Sequence, residues 1–281
     1  MKRKIAFIGV GNMATAILNG ITSGDRCLVP WTNIVLFDRN SEKLERYVQM
    51  GATVATSLEN AVSVSDCVFL CVKPQNFAEI LPLISGVTDA QKKLFVTIAA
   101  GISIKKISDS THGAPVVRVM PNTPMLIGQG VSAICRSENV SDSDFDFICD
   151  VFSSAGKVIR IRESEMNRII SVTGSSPAYV FMMIRAMYEG AAAQGLLSDD
   201  ASDSGLNDKE LIDSICDTII GSAMLMKAGN KTPDEQIKTV CSKGGTTERA
   251  VAELERYEFY KAFADAMVKC TERADELGSE K

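Results

Sequence analysis

Short apolar runs alternate with amphipathic stretches through the first half of the chain. Residues 5–8 (Ile-Ala-Phe-Ile) have the length and composition of a buried strand, and residues 13–20 follow with helical spacing. Residues 34–37 predict a second strand, and 41–50 a second helix opened by Ser41 as N-cap. Residues 67–72, stopped by Pro74, repeat the strand pattern, as do 94–99 and 116–120. Strands separated by helices imply right-handed crossovers and a parallel sheet covered on both faces. After residues 157–161 the strand signal fades. Residues 178–195, 208–228, a shorter 234–240 and a final 249–277 all read as helices. The chain therefore divides near Glu163, into an α/β domain over 1–162 and an all-α domain over 163–281. Between the long helices, residues 197–207 are acidic and small, and predict an exposed loop.

Composition narrows the classes. With 46% hydrophobic and 23% charged residues the chain is ordinary globular protein, not disordered, collagen-like or coiled-coil. A net charge of −5 disfavours nucleic acid or an anionic membrane as the main partner. No apolar run is long enough to span a bilayer. The basic start at residues 1–4 leads into an apolar stretch broken by Gly9, Gly11 and Asn12, which reads as a first strand and not a signal peptide. None of the cysteines forms a C-x-x-C pair, and no His, Cys and carboxylate set has zinc spacing. A cytoplasmic protein without a metal is expected. His112 is the only histidine, so a Ser-His-Asp hydrolase would have to use it, from a turn-like stretch.

Gly9-Val10-Gly11-Asn12-Met13-Ala14 is G-x-G-x-x-A between the first strand and the first helix. In that context Gly9 permits the turn, Gly11 admits a pyrophosphate to the backbone, and Ala14 lets helix and strand pack closely. A tight turn alone would also use glycine. The second strand ends at Asp38-Arg39, with Lys43 a helical turn on. The carboxylate suits the adenine ribose hydroxyls of NAD; the guanidinium suits the 2′-phosphate of NADP. Both are present, so the choice between NADH and NADPH stays open. Cys71-Val72-Lys73-Pro74 and Ala99-Ala100-Gly101 end later strands, on the edge where ligands bind in such sheets. Pro121 and Pro124 pre-position Asn122 and Thr123 between them. Near the last helix, Ser242-Lys243-Gly244-Gly245-Thr246-Thr247 offers free N–H groups and two threonine hydroxyls at a helix start, a cradle for a carboxylate.

With these motifs in place the sequence resembles the pyrroline-5-carboxylate reductase family over nearly its whole length. The blocks that carry the resemblance are F-I-G-V-G-N-M at 7–13, V-K-P at 72–74, A-A-G-I at 99–102, V-M-P-N-T-P at 119–124, P-A-Y at 177–179 and G-G-T-T-E-R-A-V at 244–251. The resemblance implies a Rossmann-like dinucleotide-binding domain followed by an all-α C-terminal dimerisation domain, assembled as a homodimer or a decamer of five dimers. It implies hydride transfer from NADPH or NADH to the C=N carbon of 1-pyrroline-5-carboxylate, giving L-proline. Thr247 would then hydrogen-bond near the imine nitrogen, while Ser242 and the backbone of Gly245 and Thr246 hold the substrate carboxylate. The dinucleotide would be held by Ile8, Gly9, Gly11, Asn12, Met13, Asp38, Arg39, Cys71, Val72, Lys73, Pro74, Ala99, Ala100, Gly101 and Asn122.

Three departures stand out. Lys243 replaces the proline usual in that family, Ser176 replaces a glycine, and the loop over 197–207 is roughly ten residues longer than the usual link. Two other readings compete. A β-hydroxyacid-type dehydrogenase would need a lysine shortly after Gly174-Ser175, and none is there. A dinucleotide-binding paralogue that senses or scaffolds is the second; Lys243 and Ser176 are its motivation.

Overall fold

A computed structural model describes residues 3–23, 27–197 and 206–279. Of the expected loop over 197–207, residues 198–205 lie outside the described residues.

Eight strands form one sheet in the order β3-β2-β1-β4-β5-β6-β7-β8. They are β1 (Ile5–Ile8), β2 (Ile34–Phe37), β3 (Thr53–Val54), β4 (Cys67–Leu70), β5 (Leu94–Thr97), β6 (Val116–Met120), β7 (Gly130–Arg136) and β8 (Gly156–Arg160). The expected wholly parallel sheet is corrected at one place: β7 runs antiparallel to β6, with Met120 opposite Ala133. The turn Thr123–Ile127, started by the two prolines, reverses the chain there. Strand alternation splits the core between the two faces. Ile5, Phe7, Cys67 and Phe69 enter one cluster; Ala6, Ile8, Val68 and Leu70 enter the other. Phe7 stacks on Phe69 with ring centroids 4.7 Å apart.

The helices in chain order are α1 (Asn12–Thr22), α2 (Glu45–Gln49), α3 (Leu58–Ser63), α4 (Phe77–Ser85), α5 (Ile104–Ser110), α6 (Asp142–Ser153), α7 (Met166–Ile169), α8 (Ser176–Ala193), α9 (Asp208–Ala228), α10 (Pro233–Val240), α11 (Thr246–Arg256) and α12 (Phe259–Ser279). Two expectations need correction. Ser41 does not cap the second helix: a tight turn over Ser41–Leu44 precedes α2 and is itself capped by Asn40, whose side chain accepts from Glu42 N at 3.1 Å, while the N-cap of α2 is Leu44, with no side-chain cap. The expected single final helix is two, because Glu258 adopts φ +53° and stops α11 in a left-handed turn.

The chain forms two compact units. Unit 1 comprises Met1–Pro177 with Met267–Lys281; unit 2 is Ala178–Ala266. Met166 and Ile170, beyond the expected boundary, join the sheet core because their side chains are buried with Ala274 in its second cluster. Unit 2 buries little within one chain. Phe181, Met182, Met224, Leu225 and Val240 are all exposed. Among the described residues no helix is long and apolar enough to cross a membrane.

Candidate active site

The carboxyl ends of β1, β2 and β4 surround a cleft of about 650 Å³. It brings together Ile8, Gly9, Gly11, Asp38, Arg39, Cys71, Val72 and Lys73 from the predicted set. Gly9 takes φ +87°, and a Cβ there would lie 2.9 Å from Val72 Cγ1 and 3.1 Å from Cys71 O. Gly11 differs: nothing lies within 4 Å of the place its Cβ would occupy. It is also the N-cap of α1, with no side-chain cap and no acidic residue in the first turn. The leading N–H groups of α1 are therefore open to an anion.

Asp38 is tied inward. Its Oδ2 accepts from Val10 N at 2.8 Å and its Oδ1 from Asn40 N at 2.9 Å. The acid at the end of β2 thus braces the glycine turn. Arg39 reaches across to Glu79, 3.5 Å away and exposed, a contact of little strength. Lys43 and Lys73 line the cleft with no ion pair among the described residues. Glu59 lines it too; its own backbone N–H and the Ser57 hydroxyl hold its carboxyl below the usual value.

Asn12 faces an adjoining cavity with Thr15, Lys43 and Arg46. Met13, Pro74, Ala99, Ala100, Gly101 and Asn122 do not line the main cleft. Asn122 is almost fully buried and used in the fold: Nδ2 donates to Thr173 O at 3.0 Å, and Oδ1 accepts from Val131 N at 2.8 Å. Ala99–Gly101 forms the loop after β5, beyond the cleft.

In unit 2, Ser242–Gly245 links α10 to α11. Gly245 is the N-cap of α11 and has no side chain to satisfy the first N–H groups. Glu248 reaches back instead to Gly244 N, at 2.7 Å. The amides of Thr246 and Thr247 have no acceptor among the described residues, nor do their hydroxyls have a partner. Thr247 is half-buried and lines a cavity of about 370 Å³ with Ile237, Cys241 and Val251. Lys243 is exposed, with no ion pair among the described residues.

Other thiols and the lone histidine do different work. Burial pushes the Cys67 thiol up, and burial with Glu163 beside it pushes Cys135 up to about 12, so both stay protonated core residues. His112 Nε2 lies 3.2 Å from Ser85 Oγ on the surface, and among the described residues no carboxylate orients it. Ser176 Oγ donates to Val172 O at 2.5 Å and Ser171 O at 3.1 Å. It is tied to the wide helical turn over Ile170–Gly174.

A Rossmann-type sheet whose uncapped glycine turn opens onto a cation-lined cleft, in a chain with a separate helical unit, defines a nicotinamide-dinucleotide-dependent oxidoreductase. The family model described as pyrroline-5-carboxylate reductase dimerisation matches residues 163–277, and that described as NADP oxidoreductase, coenzyme F420-dependent, matches residues 4–101. A pyrroline-5-carboxylate reductase of Corynebacterium melassecola is 35% identical over 278 residues, 98% of each chain. The chain belongs to the pyrroline-5-carboxylate reductase family. The Escherichia coli K12 relative of that name is 32% identical over 281 residues, 99% of each chain. The solved 1-pyrroline-5-carboxylate reductase of Streptococcus pyogenes superposes with a TM-score of 0.85 at 26% identity, over 98% of both chains.

Proposed function

We propose that this chain reduces 1-pyrroline-5-carboxylate to L-proline with NADPH or NADH, adding hydride to the C=N carbon and a proton to the nitrogen. One observation carries the reading: the same chain holds a dinucleotide-type cleft and, in its helical unit, a helix start with unsatisfied amides and a free threonine hydroxyl. The cleft residues fit a dinucleotide. Space stands open above Gly11, the α1 N–H groups are uncapped, and Arg39, Lys43 and Lys73 offer cations to phosphate. When bound, the reduced nicotinamide supplies the hydride. The chain's own work is to bind and orient. The amides of Thr246 and Thr247 take the substrate carboxylate, supported by Gly245 and the Ser242 hydroxyl. Thr247 Oγ1 hydrogen-bonds at the imine nitrogen. A protonated imine is already electrophilic, so positioning carries most of the acceleration.

The β-hydroxyacid reading finds no support on α8, where the one basic side chain, Arg185, is paired with Glu189 at 2.7 Å. Ser176 no longer favours a sensing paralogue, since its hydroxyl is bound to backbone. Loss of reduced-nicotinamide absorbance on mixing the protein with pyrroline-5-carboxylate tests the proposal. Substrate-dependent oxidation is expected with both NADPH and NADH. Dinucleotide binding without oxidation would return the weight to a sensor.

Asp38→Ala separates bracing from ribose reading. Two charge-assisted bonds to backbone N–H are lost, each worth about 1.5–3 kcal/mol before water replaces part of it. NADPH and NADH affinities are both expected to fall by about 10-fold, with their ratio nearly kept. A ratio that moves toward NADPH, with NADPH affinity intact, would assign the carboxylate to the ribose.

The exposed apolar side chains of unit 2 and the dimerisation family match support a homodimer through the helical unit. Further assembly to a decamer and a cytoplasmic location complete the proposal. The free cysteines are in keeping with a reducing compartment. Light scattering on the purified chain reads the oligomer directly.

A further inference from the structure

The last turns of α12 belong to unit 1 and close over the loop between β5 and α5. Gly101 in that loop takes φ +77°, and a Cβ there would lie 2.7 Å from Ala274 O and 2.8 Å from Gly278 N. The approach is mutual: a Cβ on Gly278 would lie 2.6 Å from Gly101 O. Gly278 is not there to end the helix, because it is absent from the positive-φ glycines that make such caps. Within a helix glycine is a poor former. Its use at 278 therefore answers to the loop.

The same loop is fixed at its far end. Ile104 N donates to Glu163 Oε1 at 2.7 Å, and Glu163 lies 3.6 Å from the guanidinium of Arg118. Arg118 is buried on β6 and donates to Asn167 Oδ1 at 2.5 Å; Asn167 Nδ2 donates in turn to Asp275 Oδ1 at 2.7 Å. Among the described residues the Nε of Arg118 has no partner, so the guanidinium depends on these contacts. Asp275 thus pins the end of α12 to the same group that holds the start of α5.

Sheet order says what the loop faces. Along the carboxyl edge, β2 carries Asp38 and Arg39, β1 carries the glycine turn, and β4 then β5 follow. A dinucleotide with its adenosine at β2 and its pyrophosphate at β1 extends its nicotinamide half toward β4 and β5. We infer that the end of α12 is a positioning element for the reaction: Gly278 and Asp275 set where the Ala99–Gly101 turn meets the nicotinamide half of the dinucleotide. The inference rests on the dinucleotide assignment made above.

Gly278→Ala is the test, because alanine improves the helix and can harm only the approach to Gly101. NADPH fluorescence titration, competition by 2′,5′-ADP (which lacks nicotinamide), steady-state kinetics and melting are read together. The Kd for NADPH is expected to rise about 5-fold and kcat to fall about 10-fold. The Kd for 2′,5′-ADP and the KM for pyrroline-5-carboxylate should stay as they were, while the melting temperature falls by roughly 2–6 °C as the helix end shifts away from Gly101. Asp275→Ala should act in the same direction, and Asp275→Asn, which keeps the Oδ1 acceptor, should restore wild-type values. Gly278→Ala with unchanged NADPH binding and turnover would overturn the inference. So would equal losses of NADPH and 2′,5′-ADP, or a melting drop with unaltered kinetics. Wild-type protein that binds NADPH but turns nothing over would sink the reductase reading alone, since the comparison of the two ligands still reads the turn.

Discussion

Gly9→Ala is expected to damage both the fold and the dinucleotide site, whereas Gly11→Ala damages only the site. At Gly9 the backbone sits at φ +87°, where an L side chain costs about 1–2 kcal/mol. The added methyl also meets Val72 Cγ1 at 2.9 Å and Cys71 O at 3.1 Å. The second of these is backbone at the end of a buried strand and gives little. Overpacking of that kind adds about 1–3 kcal/mol. The melting temperature of unit 1 should fall by roughly 5–15 °C. NADPH affinity should fall by more than about 100-fold, because the turn that aims the α1 amides has moved. At Gly11 the backbone is extended (φ −90°, ψ −171°) and the space is empty. Alanine there should leave the melting temperature within about 2–3 °C, since an N-cap exchange of this size is worth under about 1 kcal/mol. It should still weaken NADPH by about 10-fold or more, because the methyl stands where a phosphate oxygen approaches. Calorimetric melting and fluorescence titration on both variants check the contrast. Gly9→Ala that melts and binds like wild type would remove the steric account of the turn. Gly11→Ala with unchanged affinity would place the phosphates elsewhere.

The asymmetry between the two glycines was only half legible in the sequence. The G-x-G-x-x-A spacing points to both, but it cannot say which is closed by a neighbouring strand and which faces a ligand. That depends on Val72 and Cys71, more than 60 residues on and brought alongside by parallel pairing of β1 with β4. Asp38 makes the same point. Its position at the end of β2 was read correctly, yet the partners of its oxygens, Val10 N and Asn40 N, appear only when the turn is folded. Periodicity found the long helices well; Asp208–Ala228 begins and ends where the pattern does. It missed the break at Tyr257–Glu258 because no proline or glycine marks it, and a glutamate in the left-handed region leaves the apolar spacing undisturbed. It missed β7 because Gly130–Arg136 mixes polar and apolar residues, and its pairing with β6 is set by a turn. The role of Gly278 was invisible for a similar reason. A glycine near the end of a helix reads as a cap until its dihedral angles and the carbonyl of Gly101 are seen together.

Thr247→Val should lower kcat by about 100-fold while leaving NADPH binding and stability close to wild type. Threonines within helices usually return their hydroxyl to the carbonyl four residues back, as Thr218 does to Ser214 O and Thr239 to Glu235 O, both at 2.8 Å. Thr247 is in the first turn of α11, so the carbonyl four residues earlier belongs to the loop, and its hydroxyl has no partner among the described residues. The side chain, a methyl beside the hydroxyl, lines the cavity with Ile237, Cys241 and Val251. Valine keeps that methyl and the side-chain shape, and removes only the hydroxyl. A structural threonine would therefore give a silent variant here. A hydroxyl held for the imine nitrogen would give one that folds, binds dinucleotide and turns over slowly. The dinucleotide cleft lies in unit 1 and Thr247 in unit 2, so the NADPH Kd serves as the internal control. Thr247→Ser, which keeps the hydroxyl and loses the methyl, should retain most of the rate. Wild-type kcat in Thr247→Val would remove the hydroxyl from the mechanism and leave the amides of Thr246 and Thr247 as the whole contribution of α11 to the substrate.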